Sequence, residues 1–443
     1  MMKKYHDICQ KAVQQALKLG ATDAQCNINL SSDKSLSVYK GESEGLEQRN
    51  ELGATVTCYI GQKVGTFSVS DLSEASVDMA VNSALAFAQI SPENPYEGLL
   101  DKNEVQNPTT ADVQALDLLD NTNMTPDELY QGALAVEQAV YSHNGIISTR
   151  GCGLSQSRST SIGYASNGVS YQDTASVFSA SVEAIAADSK NKVTDYYHDS
   201  KRHLSDLEDL ADIGHQAALK TVAKLNIVKM PFSGKLPVVL SPEIAGSLLL
   251  SKLAGCISGD AVFNQGSFVK KESLGQKLFG DNIQLVDNRT MVRGLGSSAM
   301  SGSGIIGPEQ VAFVEDGVLQ NLTYNVVTGR KLGLCPKHGR PKMYNAHFKP
   351  GKQTVVDLVS NVQKGLYVTD VMGHGFKPSR GDMSFTIGGY VIENGIITDD
   401  YVLEATLSGN LIEMLNNTTF AQDLKFKYGS NSPTALVEGV SIS

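Results

Sequence analysis

The chain has 443 residues, of which 41% are hydrophobic and 19% charged, with a formal net charge of −10. That length exceeds one ordinary core and predicts a globular protein of two or three domains. Dispersed lysines and arginines in an acidic chain argue against nucleic acid as a partner, and no apolar run reaches the ~18–20 residues that would span a membrane.

The opening "MMKKYHDICQKAVQQALKLGA" predicts a helix rather than a secretion signal, because no uninterrupted apolar region follows its lysines. Strands come next: "QCNINLSS", "SLSVYKGESEGLEQRN" and "GATVTCYIGQKVGTFSVS" alternate apolar and polar residues between turn signals, with "YIGQKVG" reading as a hairpin. "SDLSEASVDMAVNSALAFAQI" reads as an amphipathic helix with Asp71 or Ser73 as N-cap. A connection containing proline and asparagine, "SPENPYEGLLDKNEVQNPTT", ends this first unit. The second opens with a helix capped by Thr125 ahead of Pro126, continues through strand-like "SQSRSTSIGYASNGVSYQDTASVFSASVEAIAAD", and closes with the helix "SDLEDLADIGHQAALKTVAKL". Beyond "KMPFSGKLPVVLSPE" the chain is richer in glycine and in short strand signals. Because strands run in groups, the expected class is α+β: an N-terminal α/β unit (1–110), a second α/β unit (111–229) and a β-rich C-terminal domain with inserted helices (230–443). The six cysteines are scattered without a CxxC pair, which points to a reducing compartment, and the cytoplasm is the expected location.

Few motifs carry chemistry. "GSGIIG" at Gly302–Gly307 matches GxGxxG, but a proline and a strand pattern follow where a dinucleotide site needs a helix. "GESEG" around Ser43 matches GxSxG, yet two glutamates flank the serine and strands surround it, unlike a nucleophile elbow. His338, His347 and His374, with Cys335, lie on glycine- and proline-rich segments; Cys335-x-x-His338 alone is far short of a zinc site. His374 stands out because glycines on both sides let a substrate backbone approach.

The C-terminal third resembles the TldD/PmbA family, the modulators of DNA gyrase. The resemblance lies in "GLYVTDVMGHGFKPSRGDMSFTIGGYVIENGIITDDYVLEATLSGNLIEML". It contains the family's Val-Thr-x-x-Met-Gly-x-Gly (Val368 to Gly375), a Gly-Asp loop (Gly381–Asp382), Gly-x-x-Ile-Glu-Asn-Gly (Gly389 to Gly395) and Gly-Asn-Leu (Gly409 to Leu411). "RPKMYNAHFKPG" (Arg340–Gly351) is similar to its Arg…Asn…Pro-Gly loop. One departure is the glycine- and serine-rich "GSSAMSGSGIIG", where many relatives have an Asp-containing loop ending in Glu-Gly.

The resemblance implies two α/β units before a β-rich domain, and a peptidase in which TldD-type and PmbA-type (TldE) subunits pair to degrade unstructured peptides. The TldD type has His-Glu-x-x-x-His on a helix and a late cysteine, giving zinc ligands and a general base. With that helix anchored on Gly259–Asp260, the first histidine falls on Leu250, the glutamate on Ser251 and the second histidine on Gly255. No cysteine follows Cys335. The expectation is a PmbA-type subunit with no metal and no catalytic residue of its own. It would bind unstructured peptide near Gly373, His374 and Gly375, paired with a zinc-bearing TldD-type subunit in a heterodimer or else as a homodimer. The alternative is an autonomous homo-oligomeric peptide-binding protein, or a hydrolase with an unrecognised site.

Overall fold

The computed structural model describes residues 2–300, 304, 308–427 and 429–443. Of the "GSGIIG" motif, only Gly304 is among them. The class is α+β, as the grouping of strands predicts.

Helix α1 (Met2–Lys18) leads into β1 (Asp23–Tyr39), β2 (Glu42–Ile60) and β3 (Lys63–Val69), then α2 (Glu74–Ile90). Ser73 caps α2 by accepting the amide of Ser76, while the Asp71 carboxylate takes the hydroxyls of both serines. A short helix, α3 (Thr110–Ala115), precedes α4 (Pro126–Tyr141). Thr125 and Glu128 close a reciprocal capping box at its start. Strands β4 (Ile146–Ala165), β5 (Ser170–Ala187) and β6 (Lys192–Lys201) follow, then α5 (Leu210–Ala223). This helix starts later than the sequence suggested. Asp209 is its N-cap, and Leu204–Asp206 form a separate 3-10 turn.

All six strands form one antiparallel sheet in the order β3-β2-β1-β4-β5-β6. The seam is β1 against β4, with Ile28 opposite Ile162 and Leu36 opposite Leu154. Alternation gives this sheet two different faces. One buries Cys26, Ile28, Val56, Cys58 and Ile162 under α1 and α2, and Leu36, Cys152, Leu154, Phe178 and Ala180 under α4 and α5. Residues on the other face are mostly polar, and several bond across strands: Ser161 to Asn29 (2.7 Å), Tyr171 to Asn27 (3.1 Å), Thr55 to Ser68 (2.9 Å).

The C-terminal part opens with β7 (Ile227–Val228) and β8 (Gly234–Leu240) and continues through β9 (Leu285–Asn288), β10 (Gln310–Glu315), β11 (Val318–Leu319), β12 (Ala346–Phe348), β13 (Lys364–Met372), β14 (Phe376–Lys377), β15 (Asp382–Glu393), β16 (Ile396–Asn410), β17 (Thr418–Phe420) and β18 (Ala435–Ile442). Strands β9 to β12 make a small sheet of their own. In the larger sheet β15 pairs with both β13 and β16, so β15, β13, β8, β18 and β16 close into a ring. Its core includes Val238, Leu366, Val368, Phe385, Ile387 and Leu407, packed with Leu248, Leu249, Leu250 and Leu253.

Several sets of contacts fix the C-terminal part against the first sheet, two of them as follows. The connection after α2 is a strap rather than a free linker. Arg330 donates to the carbonyls of Tyr96 (3.1 Å), Gly98 (3.0 Å) and Leu99 (2.6 Å), and Leu100 packs on Val326. Elsewhere Lys224, buried at the end of α5, pairs with Asp195 at 3.0 Å and with Asp370 of β13 at 2.7 Å. Tyr401 of β16 donates to the same Asp370 carboxylate. Burial alone would raise the Asp370 carboxyl, but the Lys224 charge and three donated hydrogen bonds outweigh it and hold it below the usual range. Among the described residues no helix is long and apolar enough to cross a membrane.

Candidate functional site

The segment that the sequence aligned with a metal helix is helical throughout, but not regular. Pro242–Ala245 and Ser251–Cys256 are α-helical, and Gly246–Leu250 between them is a π-helical turn, with the Ser251 amide bonded to the Gly246 carbonyl five residues back. Leu250 is 1% exposed and belongs to the central core. Ser251 and Gly255 are exposed on another face, where a Cβ at Gly255 would meet nothing within 4 Å. The Ser251 hydroxyl bonds to that of Ser430 at 2.9 Å. Leucine and glycine offer no lone pair, so these three positions do not form a donor set for zinc.

His374 is exposed in the turn after β13, between Gly373, whose φ of +92° suits glycine, and Gly375, where a Cβ would stand 1.6 Å from the Ser384 carbonyl oxygen. Cys335 and His338 are exposed on the 3-10 turn at Pro336–His338, and half-buried His347 packs edge-on to Phe426. Among the described residues no three His, Cys, Asp or Glu side chains are grouped to hold a metal ion. The glycine motifs of the C-terminal third do meet one another. Asn410 bonds to the Arg380 carbonyl (2.9 Å) and to Asp382 (3.0 Å) beside Gly381, and caps the helix Leu411–Asn416 through the Ile412 amide. Their positions explain the pattern as architecture.

A cleft that the motifs did not point to lies between the polar face of the six-stranded sheet and the C-terminal part. Its volume is about 380 Å³, and its walls include Ser159, Ser161, Tyr171 and Asp173 of the sheet, Arg202, the loop Leu295–Met300, and Tyr344. A buried ionic knot builds the loop side. Asp287, fully buried, pairs with Arg340 and accepts the amides of Tyr344 and Asn345, both at 2.8 Å. The Asn345 side chain in turn accepts the Gly296 amide (3.0 Å) and donates to Ser297 (2.8 Å), while Arg289 holds the Ser298 carbonyl (2.6 Å). The Arg…Asn loop legible in the sequence is thus the brace behind this wall.

On the sheet side, a Cβ at Gly163 would stand 2.1 Å from the Tyr171 ring, so glycine there makes room for the ring to lie across the strand. Asp173 receives a 3.4 Å bond from Ser298 on Oδ2, and its Oδ1 is buried without a hydrogen-bond partner. Burial pushes its carboxyl above the usual range, against the charge of Arg202. Arg202 itself is engaged by the carbonyls of Gly294 (3.3 Å), Ser176 (3.2 Å) and Leu295. Asp173 could have been noticed as the one acid in the segment "SYQDTASVF", on an alternating polar position of that strand. Its neighbours across the cleft are distant in sequence and could not.

The architecture is thus a closed C-terminal β-ring packed on the helix Pro242–Cys256, joined to a helix-backed antiparallel sheet. The chain matches the PmbA/TldA metallopeptidase central domain over residues 119–225 and the C-terminal domain over residues 233–443. The chain belongs to the PmbA/TldD family. It is 28% identical over 435 residues to the metalloprotease PmbA homolog of Haemophilus influenzae, covering 98% of this chain and 94% of that protein. It is 27% identical over 441 residues to metalloprotease PmbA of Escherichia coli O157:H7, covering 98% and 96%. The fold is that of a Bacteroides thetaiotaomicron protein described as a modulator of DNA gyrase (TM-score 0.90, 24% identity, 99% and 98% covered). It is also that of TldE from Thermococcus kodakarensis (TM-score 0.83, 15% identity, 98% and 100% covered).

Proposed function

We propose that this chain is the PmbA/TldE-type subunit of a cytoplasmic TldD/TldE-like metallopeptidase complex acting on unstructured peptides, and that a TldD-type partner brings the zinc. The observation that carries the reading is the helix Pro242–Cys256. Leu250 fills core volume where the family's first histidine would stand, and Ser251 and Gly255 provide neither a carboxylate base nor a ligand. Without a bound water, a general base or an activated nucleophile, this chain has nothing there to lower the barrier to amide hydrolysis. What remains for it is to shape a chamber. The polar sheet face offers hydroxyl and amide groups to an extended peptide, and the exposed His374 turn offers a further contact.

The test is digestion of an unfolded peptide by this chain, by a TldD-type subunit and by their mixture, with and without chelator. Cleavage by the mixture that the chelator abolishes, and none by this chain alone, is the expected result. Chelator-insensitive cleavage by this chain alone would overturn the reading.

A further inference from the structure

The cleft contains a carboxyl group whose hydrogen bonding the protein satisfies only in part. A carboxylate offers about four lone-pair positions, and at Asp173 the Ser298 hydroxyl, at 3.4 Å, reaches one oxygen while the other has no partner. The neighbouring cations do not complete it. Arg202 directs its nitrogens at three backbone carbonyls, and Lys342 lies exposed at the rim over the Tyr344 ring. Burying an unpaired carboxylate is costly, and the cost falls when a cation that donates hydrogen bonds enters beside it.

Size and surroundings narrow the visitor. A cavity of about 380 Å³ is at the small end of ligand sites, room for one or two amino-acid units. The Tyr171 ring adds an aromatic surface of the kind that attracts cations. Leu118, Ala175 and Met300 give apolar wall for the carbon stem behind the charge.

We propose that this cleft is a binding site for a primary ammonium group, held by the Asp173 carboxylate against Tyr171 with Ser298 at its side. A peptide presents that group as its free N-terminus or as a lysine side chain. The peptide source rests on the function proposed above; the ammonium preference does not. The site lies on the sheet, apart from the helix Pro242–Cys256, and serves to tether one end of a chain rather than to cut it.

The experiment is titration calorimetry on the full isolated chain with three short peptide amides: one with a free N-terminus and no lysine, its N-acetylated form, and an N-acetylated form containing one lysine. The free amine binds at least about tenfold more tightly than the acetylated peptide, the expected loss of a charge-assisted hydrogen bond. The lysine peptide shows which source the cleft accepts. Asp173→Asn erases the preference, and Ala175→Leu, which fills the cleft and leaves the carboxylate intact, weakens every amine probe even if the asparagine variant folds poorly. Equal binding of free and acetylated peptides, no saturation by any amine at about 1 mM, or a preference that survives both substitutions would each overturn the proposal. If amines bind but the mixture with a TldD-type subunit cleaves nothing, the subunit reading falls and the site stands. Cleavage without amine binding has the opposite meaning.

Discussion

Replacing Leu250 by alanine should destabilise the protein and replacing Gly255 by alanine should not, although the two lie five residues apart on the same helix. Leu250 is 1% exposed within the central core, so Leu250→Ala removes buried methyl groups and leaves a cavity that its neighbours fill only partly. The usual cost is about 2–5 kcal/mol. At roughly 2–4 °C per kcal/mol for a domain of this size, the transition of the C-terminal part should drop by roughly 4–20 °C. Gly255 is exposed on the α-helical segment, and an added Cβ meets nothing within 4 Å. Gly255→Ala therefore gains helix propensity, up to about 1 kcal/mol, and should raise Tm or leave it unchanged. Scanning calorimetry on both variants measures the two shifts. An unchanged Tm for Leu250→Ala would mean that Leu250 faces open space, and the reading of this helix as a core element would fail. A marked destabilisation by Gly255→Ala would show that its outer face is covered.

Two further outcomes are expected. Lys224→Met strips the buried Asp195 and the half-buried Asp370 of their shared cation and should cost about 3–5 kcal/mol in chemical denaturation at neutral pH, chiefly through Asp195. Because the folded-state Asp370 carboxyl is held below its unfolded value, its stabilising contribution is present above about pH 4 and is lost as pH falls through the folded value; denaturation profiles of Lys224→Met should lack that acid loss. In the mixture with a TldD-type subunit, His374→Ala should slow peptide turnover while bound zinc, measured by metal analysis, stays constant; unchanged turnover would remove His374 from the substrate path.

Local chemistry was readable in the sequence wherever one side chain decides the outcome. Thr125 and Pro126 start α4, Ser73 starts α2, and "YIGQKVG" turns between β2 and β3. The alternation in "QCNINLSS" and "SQSRSTSIG" correctly marks strands with one buried face. It does not reveal that these two segments are neighbours, because pairing between Ile28 and Ile162 depends on partners more than 130 residues apart. The strap after α2 read as a loop for a similar reason: what holds it is Arg330, far away in sequence. The cleft was hidden because its parts come from strands, a loop and Tyr344, and no local period links them. Even the π-helical turn at Gly246–Leu250 leaves no composition signal beyond an apolar run.

The β1–β4 seam has a consequence for how the chain is made. On a ribosome, residues 23–60 emerge well before residues 146–165, so the first hairpin waits with one long edge unpaired while about ninety further residues are synthesised at ~5–20 residues per second. During those seconds the hairpin edge is a template for pairing with other nascent chains. A fragment ending near residue 110 would stay in that condition permanently and should be recovered as aggregate. One ending near residue 225 could complete the sheet. Expression of this protein should therefore be more sensitive to translation pauses between residues 60 and 165 than to pauses later in the chain.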